Sequence, residues 1–516
     1  MSKLFRNNKK KLKEIDESKN TNMFSKDFVE NIDYIKNKLS KCCDVEYRPI
    51  KIINGLGINA YIFLINGMVD PTFVSENILK PLIKFEFEKD EVASIHEGVY
   101  NHLLTVGSVD IEKDLDSLVM KIISGGIGIL IENESVAFSV EAIGWKERAV
   151  EETASETVIK GMKAGFVENI RTNTSLVRRM IKNPKLKIEK ITKGRITNTE
   201  INIAYIEGVV LEDLLEEVRQ RIERVDIDGI INLGMLQEMI DDSTFSLFST
   251  SYTTERPDRA CSCLLEGRVV VLMDNSPFVL IAPSVITQFI QSAEDYSTKY
   301  LTASFARILR VVALNINLLL PGLYVAIFSY HHEMIPNKLL KAVADAREKL
   351  PFPIFLEMFM LVFAFEILRE AGVRLPRAVG QAVSIVGALV IGQAAVSAKL
   401  VSPPSIIVVA LTAICSFTIP ITEATNAYRL LTFIVLFAGG ILGIPGIIAV
   451  SLIILVNISQ LRSFGVPYLS PISPLSLSDW KDFIIRVPIQ FMKKRPTQTA
   501  KSNKIRQRWW KGSDKK

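Results

Sequence analysis

Apolar spacing changes character near residue 310. Before that point, apolar residues alternate with polar ones or recur at helical intervals. After it, they run on with few charges. INAYIFLINGMVD at 58–70 and INIAYIEGVV at 201–210 alternate as strands do, reach Gly67 or Gly208, and pass into a helical pattern. GGIGILIENESVAFSV from Gly125 and EGRVVVLMDNSPFVLI from Glu266 read as hairpins, with turns at Glu132-Asn133 and Asp274-Asn275. Gly67 and Gly208 lie 141 positions apart, and so do Gly126 and Gly267. Two anchors with one spacing predict a repeated α/β unit, against the alternative of a chance match between short apolar strands. GFVENIRTNTSLVRRMIKNP at 165–184 reads as a connecting helix ended by Asn183-Pro184.

Four uncharged runs follow: Val311 to His332, Ala378 to Ala398, Leu400 to Thr422 and Leu430 to Leu461. Each reaches the ~20 residues a helix needs to cross a bilayer core. The last holds GGILGIPG at 439–446, so it predicts either one kinked helix or two short pieces. Within the second, Gly380, Ser384, Ala388 and Gly392 share one helical face, a small-residue stripe suited to close helix packing. Lys and Arg flanking the runs predict both ends on the cytoplasmic side and an even number of crossings. The loop 338–349, with Lys338, Lys341, Arg347 and Lys349, sits awkwardly with that topology.

The fold class expected is therefore α+β with a membrane part: a duplicated α/β N-terminal soluble region, then an α-helical multi-span membrane domain. The divisions are a basic arm at 1–25, a first α/β subdomain at 26–150 and a connecting helical segment at 151–184. A second α/β subdomain at 185–295, a membrane domain at 296–465 and a basic cytoplasmic tail at 466–516 complete the chain.

Composition sharpens this in places. A mean hydropathy of +0.24 alongside 23% charged residues fits two unlike halves averaged together. The N-terminal MSKLFRNNKKKLKEIDESKN lacks the apolar core of a cleaved export signal and reads as a solvated arm or one that touches anionic lipid. Five cysteines in 516 residues make no disulfide framework, and Cys261-x-Cys263 has no matching second pair for a metal. No phosphate-binding loop occurs, and SGGIGIL at 124–130 fits a strand entry better than a nucleotide turn. His331-His332 reads as an interfacial cap before a metal site. No nucleophile carries a local signature, so an enzyme, a cofactor and a metal centre are not expected; nor is nucleic-acid binding, at a net charge of only +6.

The residues that stand out are carboxylates in apolar surroundings. PFPIFLEMFMLVFAFEILREAGVRLPR at 351–377 carries Glu357 and Glu366, and Pro351, Pro353, Gly372 and Pro376 predict a short helix over 353–370. An ionised acid in such a setting faces a partner or an aqueous path. Phe359, Phe363, Glu366 and Glu370 lie near one helical face, with Glu357 roughly opposite. An apolar constriction beside an acidic ring is a channel's device for gating and cation preference. The alternative is that Glu366 pairs with Arg369 or Arg374.

Taken in order, EKLPFP, EILREAGVRLP, GQAVSIVGALVIGQAAVSAKLVSP and SFTIP resemble the A-subunit family of GerA-type spore germinant receptors. GFVENIRTNTSLVRR, TERPD, EGRVVVLMDNSPFVLIAP and FGVPYLSP extend the resemblance over roughly residues 30–490. It implies a protein of the spore inner membrane whose N-terminal region, two α/β subdomains, faces the core. It implies B and C subunits as partners, homo-oligomers of pentameric form, monovalent cations as cargo and cation release at the start of germination. The same motifs occur in a paralogue, the F protein of the SpoVA operon. A solute transporter and a non-conducting receptor scaffold are the other readings.

Overall fold

The computed structural model describes residues 22–52, 58–83, 108–142, 144, 153, 156, 158–348, 350–374, 392–500 and 503–507. The chain forms two compact units. The first takes in Met1–Ser155, Lys163–Gln237 and Thr253–Ile281, and the second Glu156–Met162, Glu238–Tyr252 and Ala282–Lys516.

The first unit holds two five-stranded sheets. α1 (Phe28–Lys38) is capped by the Asp27 carboxylate, which accepts from the Val29 N–H. β1 (Val45–Ile52) and β2 (Ile58–Ile65) pair antiparallel, Val45 opposite Ile65 through Ile52 opposite Ile58. A helical segment follows at 71–83, then β3 (Val109–Glu112), α2 (Leu115–Ile123), β4 (Gly126–Ile131) and β5 (Ala137–Glu141). The strand order is β1-β2-β4-β5-β3. Neighbours along β2 face opposite ways, and both faces are covered. Ile62 packs with Ile129, Phe138 and Ile78, while Phe63 packs with Ile35, Leu118 and Ile122.

The second set repeats this. α3 (Ile170–Met180) leads into β6 (Leu186–Lys193) and β7 (Thr199–Ile206). Then come α4 (Glu212–Arg224), β8 (Tyr252–Thr254), α5 (Pro257–Leu265), β9 (Val269–Met273) and β10 (Val279–Ala282). The order β6-β7-β9-β10-β8 is the first sheet's order again. Positive φ recurs at matching places: Gly67 and Gly208 (84° and 75°), Gly125 and Gly267 (98° and 85°), Asn133 and Asn275 (67° and 62°). Gly125, not Gly126, is thus the counterpart of Gly267, because Gly126 already belongs to β4.

The connecting helix expected at 165–184 is instead the opening helix of the second repeat. A buried asparagine marks the equivalence. Asn31 accepts from the Ser25 N–H (2.9 Å) and donates to its carbonyl (2.8 Å), and Asn173 does the same with Val167 (2.8 and 2.5 Å). The pentapeptide FVENI occurs at 28–32 and at 166–170, yet it is out of register with the fold. The helix caps are Asp27 and Asn169, so the first FVENI lies within a helix and the second largely before one.

The repeats are joined covalently and by a charge clasp. Cys42 and Ile188 form a parallel bridge between them. Arg178, 0% exposed, donates through Nε (2.7 Å) and Nη2 (2.9 Å) to the two oxygens of Asp44 and through Nη1 to the Leu186 carbonyl (2.8 Å). This fork fills most of the guanidinium's hydrogen-bonding capacity, the condition under which a buried charge pair is tolerated.

In the second unit, α6 (Tyr300–Tyr330), α7 (Asn337–Arg347), α8 (Ile354–Arg374), α9 (Pro403–Phe417) and α10 (Thr422–Gln460) are the principal helices. α6 and α10 are long and apolar enough to cross a membrane. They meet backbone to backbone. A Cβ added to Gly322 would lie 2.8 Å from the Val435 carbonyl oxygen, and one added to Gly439 would lie 2.6 Å from that of Gly322. The close contact therefore falls there. Of the small-residue stripe expected for this purpose, Gly380, Ser384 and Ala388 lie outside the described residues. A Cβ at Gly392 would meet nothing within 4 Å.

The third apolar run does not fold as the expected span. Ser402 caps α9, Pro403 and Pro404 set its start, and its 15 residues reach only ~22 Å of a ~30 Å core. The second run lies mostly outside the described residues. The fourth is one run broken at Gly443 (φ 67°, ψ −149°), with Pro445 just beyond. The break frees backbone groups that the end of α6 satisfies: the Tyr330 hydroxyl donates to the Gly440 carbonyl (2.7 Å), and the Ile444 N–H donates to His331 Nε2 (3.4 Å).

The expected tail from 466 is packed into this unit. Phe483 and Arg486 are buried, and Asp482 accepts from Arg307 Nη1 (2.9 Å), whose Nε donates to Asp295 (2.8 Å).

Candidate functional site

α8 is the helix with the two intramembrane-like acids. It runs 21 residues, Ile354–Arg374, rather than the short 353–370 stretch, because Gly372 does not stop it. Its ~31 Å length matches a bilayer core, but its charges set it apart from α6 and α10.

One face is shut. Ile354, Met358 and Val362 pack against Tyr324, Val325, Val409 and Leu436. Glu357, 0% exposed, sits on this side. Arg347 pairs with one of its oxygens, and the Ser402 N–H donates to the other (2.5 Å). Ser402 Oγ meets Ser405 Oγ (2.8 Å), whose hydroxyl reaches Tyr324 (3.2 Å). Glu357 therefore ties α7, α8 and the start of α9 together, which is a structural job for a buried carboxylate.

The other face borders an open groove of about 530 Å³. Phe359, Phe363 and Glu366 line it from α8, and Asn426, Arg429 and Phe433 from α10. Phe359 and Phe363 stack at 5.9 Å with an interplanar angle of 13°, and Phe437 closes on Phe359 at 5.5 Å. Phe363 stays 51% exposed. Glu366 is 17% exposed and accepts from Arg429 Nε at 2.6 Å, with Arg369 looser at 3.7 Å. Arg369 lies over the rings of Phe365 and Phe417, each 5.2 Å away, and its Nε and Nη1 make no hydrogen bond.

Three of the four expected face residues thus share one groove. Glu370 does not; it pairs with Arg374 (2.8 Å) where both are well exposed. Neither expectation for Glu366 anticipated its main partner. Arg429 lies just before the longest uncharged run, outside every counted window. The need of a half-buried acid for a cation was the available signal. The groove carries Glu366 with two arginines about it, so its acid is paired in this arrangement rather than bare.

A duplicated α/β head, carried in one chain with apolar helices of membrane-crossing length, defines the class. The profile of the family described as Bacillus/Clostridium GerA spore germination protein matches residues 33–498, and the chain belongs to that family. Spore germination protein KA of Bacillus subtilis (strain 168) is 42% identical over 94% of this chain and 89% of its own length. Stage V sporulation protein AF of the same organism is 28% identical over 93% of this chain and 96% of its own. Among solved structures, the N-terminal domain of the A subunit of a Bacillus megaterium spore germinant receptor is 29% identical, with a TM-score of 0.42 over 52% of this chain and 99% of that one.

Proposed function

We propose that this chain is the A subunit of a spore nutrient germinant receptor, embedded in the spore inner membrane with its α/β repeats toward the core. It assembles as a homo-oligomer with B and C subunits and conducts monovalent cations when a nutrient is sensed. The 42% identity to protein KA, against 28% to protein AF, favours the receptor subunit over the paralogue.

The observation that carries the channel reading is the groove in which Phe359, Phe363 and Glu366 converge. In the proposed oligomer α8 lines the pore, with Phe363 near an apolar constriction that resists wetting. Glu366 draws cations once Arg429 lets it go, so the Glu366–Arg429 pair serves as the closed latch. Glu370, beyond the groove and exposed, lies at the mouth.

Single-channel recording from the reconstituted full chain, beside ion release from spores, tests this. Phe363→Ala is expected to leak cations without nutrient. Glu366→Gln is expected to lower conductance or cation preference at preserved membrane abundance. Normal nutrient-dependent release in both variants at normal abundance would mean that the pore runs elsewhere.

A further inference from the structure

The segment that follows α10 is fixed at one level of the helical unit. The Arg486 N–H donates to Ser304 Oγ (3.0 Å), and Arg307 Nη1 donates to Asp482 and to the Phe483 carbonyl (2.9 and 3.1 Å). Ser304 and Arg307 belong to the opening turns of α6, within ~11 Å of its start. Tyr428, near the start of α10, and Tyr468, just past its end, meet the same Phe248 ring at 6.2 and 6.4 Å. A straight helix from Tyr428 to Gln460 would span ~48 Å, so α10 doubles back at Gly443. Phe483 borders one small cavity with both tyrosines, so both ends of α10 lie at the level of the segment.

At that level the ordinary partition of side chains is inverted. The charged groups of Asp295, Arg307 and Arg486 are buried. Leu301, Phe305, Ile308 and Val312 share one face of α6 and are exposed. In the segment itself Leu475, Leu477, Trp480, Ile485, Ile489 and Phe491 are exposed, Leu477 at 76% against 2% for Arg486. So much exposed apolar surface marks a face that something covers.

Two observations name the cover. The face continues, at the same level, the outer face of α6, which is apolar from its first turn. Its exposed charges are also of one sign. Among the described residues 462–500, the exposed charged side chains are Arg462, Lys481 and Lys494. The two acids are held inward, Asp479 by the Thr497 hydroxyl (2.7 Å) and Asp482 by Arg307. Apolar side chains with a tryptophan, rimmed by cations, suit the boundary between acyl chains and anionic headgroups. A protein partner would cover the apolar residues but would not call for a rim of one sign.

We propose that residues 472–494 are an interfacial anchor. The segment lies in the plane of the membrane, its apolar side chains at the acyl boundary and Lys481 and Lys494 on the phosphates of anionic lipid. This rests on the reading of α6 and α10 as membrane-crossing helices and gives the chain beyond them a lipid-binding surface of its own.

Trp145→Phe, Trp509→Phe and Trp510→Phe together leave Trp480 as the sole indole of the full chain. In nanodiscs of phosphatidylcholine and phosphatidylglycerol, lipids brominated near the headgroup end of the acyl chain should quench Trp480 about twofold, and more than lipids brominated near the chain terminus. Leu475→Ser with Leu477→Ser should cut that quenching by about half. Lys481→Gln with Lys494→Gln should remove most of the gain that phosphatidylglycerol gives over phosphatidylcholine alone. If the triple tryptophan variant misfolds, a phospholipid with a photoreactive acyl chain decides, since it should cross-link to 472–491 of the unmodified chain. Resistance to alkaline extraction certifies that the chain is integral. An integral chain with Trp480 unquenched, or without lipid cross-links in 472–491, overturns the anchor and makes a second copy or another subunit the cover. Quenching indifferent to phosphatidylglycerol and to the lysine variants overturns the part played by anionic lipid. Release by alkali refutes the membrane reading itself, and the anchor with it.

Discussion

The Arg178–Asp44 clasp and the Glu366–Arg429 pair use the same chemistry in different surroundings. The first is 0% and 5% exposed and fills three guanidinium nitrogens with protein acceptors. It joins two repeats whose sheets are fixed. The second is 17% and 27% exposed and borders an open groove. It joins two helices and leaves both partners beside open space. Distance does not separate a brace from a latch; the cost of parting the two charges does. Parting the buried pair strands a charge in packed protein, whereas parting the groove pair leaves each charge at the edge of an open groove.

The largest expected effect follows from that difference. Asp44→Ala leaves Arg178 buried without its counter-ion and should destabilise the first unit by about 3–5 kcal/mol. Thermal unfolding of the full chain followed by circular dichroism, with membrane abundance, measures it; a loss below that caused by Glu366→Gln would break the comparison. Glu366→Gln should cost an intermediate amount, about 1–2 kcal/mol, since the amide still accepts from Arg429 and the pair is only partly buried. Adding Arg429→Gln should then have little further effect on stability, which a double-mutant cycle on the same unfolding signal reads as coupling between the two sites. Glu370→Gln should be smallest, within about 0.5 kcal/mol, because the Glu370–Arg374 pair is exposed and screened. A larger loss there would mean that exposure is a poor guide to what these pairs do.

Much of the duplicated α/β part is legible in the sequence because strand alternation and turn residues are local signals. Gly67 and Gly208, and Asn133 and Asn275, announce themselves by residue type. What escaped was the opening helix of the second repeat. Its marker, Asn173, is matched to Asn31 by a hydrogen-bonding role, while the identical FVENI strings point to a false register. In the helical unit, apolar runs gave membrane-length helices at α6 and α10 but misjudged α9, where two prolines and a serine cap shorten the helix from within an uncharged stretch. At the candidate site, helical spacing puts Phe359, Phe363 and Glu366 on one side of the helix, since i, i+4 and i+7 positions share a face whatever the fold, and all three border the groove. It could not supply Arg429, whose place beside Glu366 depends on how α10 crosses α8. It also placed Glu370 with the groove residues, though a further turn carries that side chain to the exposed Arg374.

The break at Gly443 gives α10 the mechanics of two rods on one pivot. An unbroken helix transmits a tilt along its whole length; one with non-helical backbone at a single residue does not. A rotation of the Arg429 end, such as parting from Glu366 requires, can be absorbed at the pivot while the segment beyond Pro445 keeps its orientation. Tyr330 and His331 act as the bearing, since they hold the exposed backbone groups on either side without bridging them rigidly. On the proposed channel reading, movement at the groove would be confined to the first half of α10, and the cost of changing state would be set by a few hydrogen bonds at one joint rather than by the repacking of a thirty-nine-residue helix.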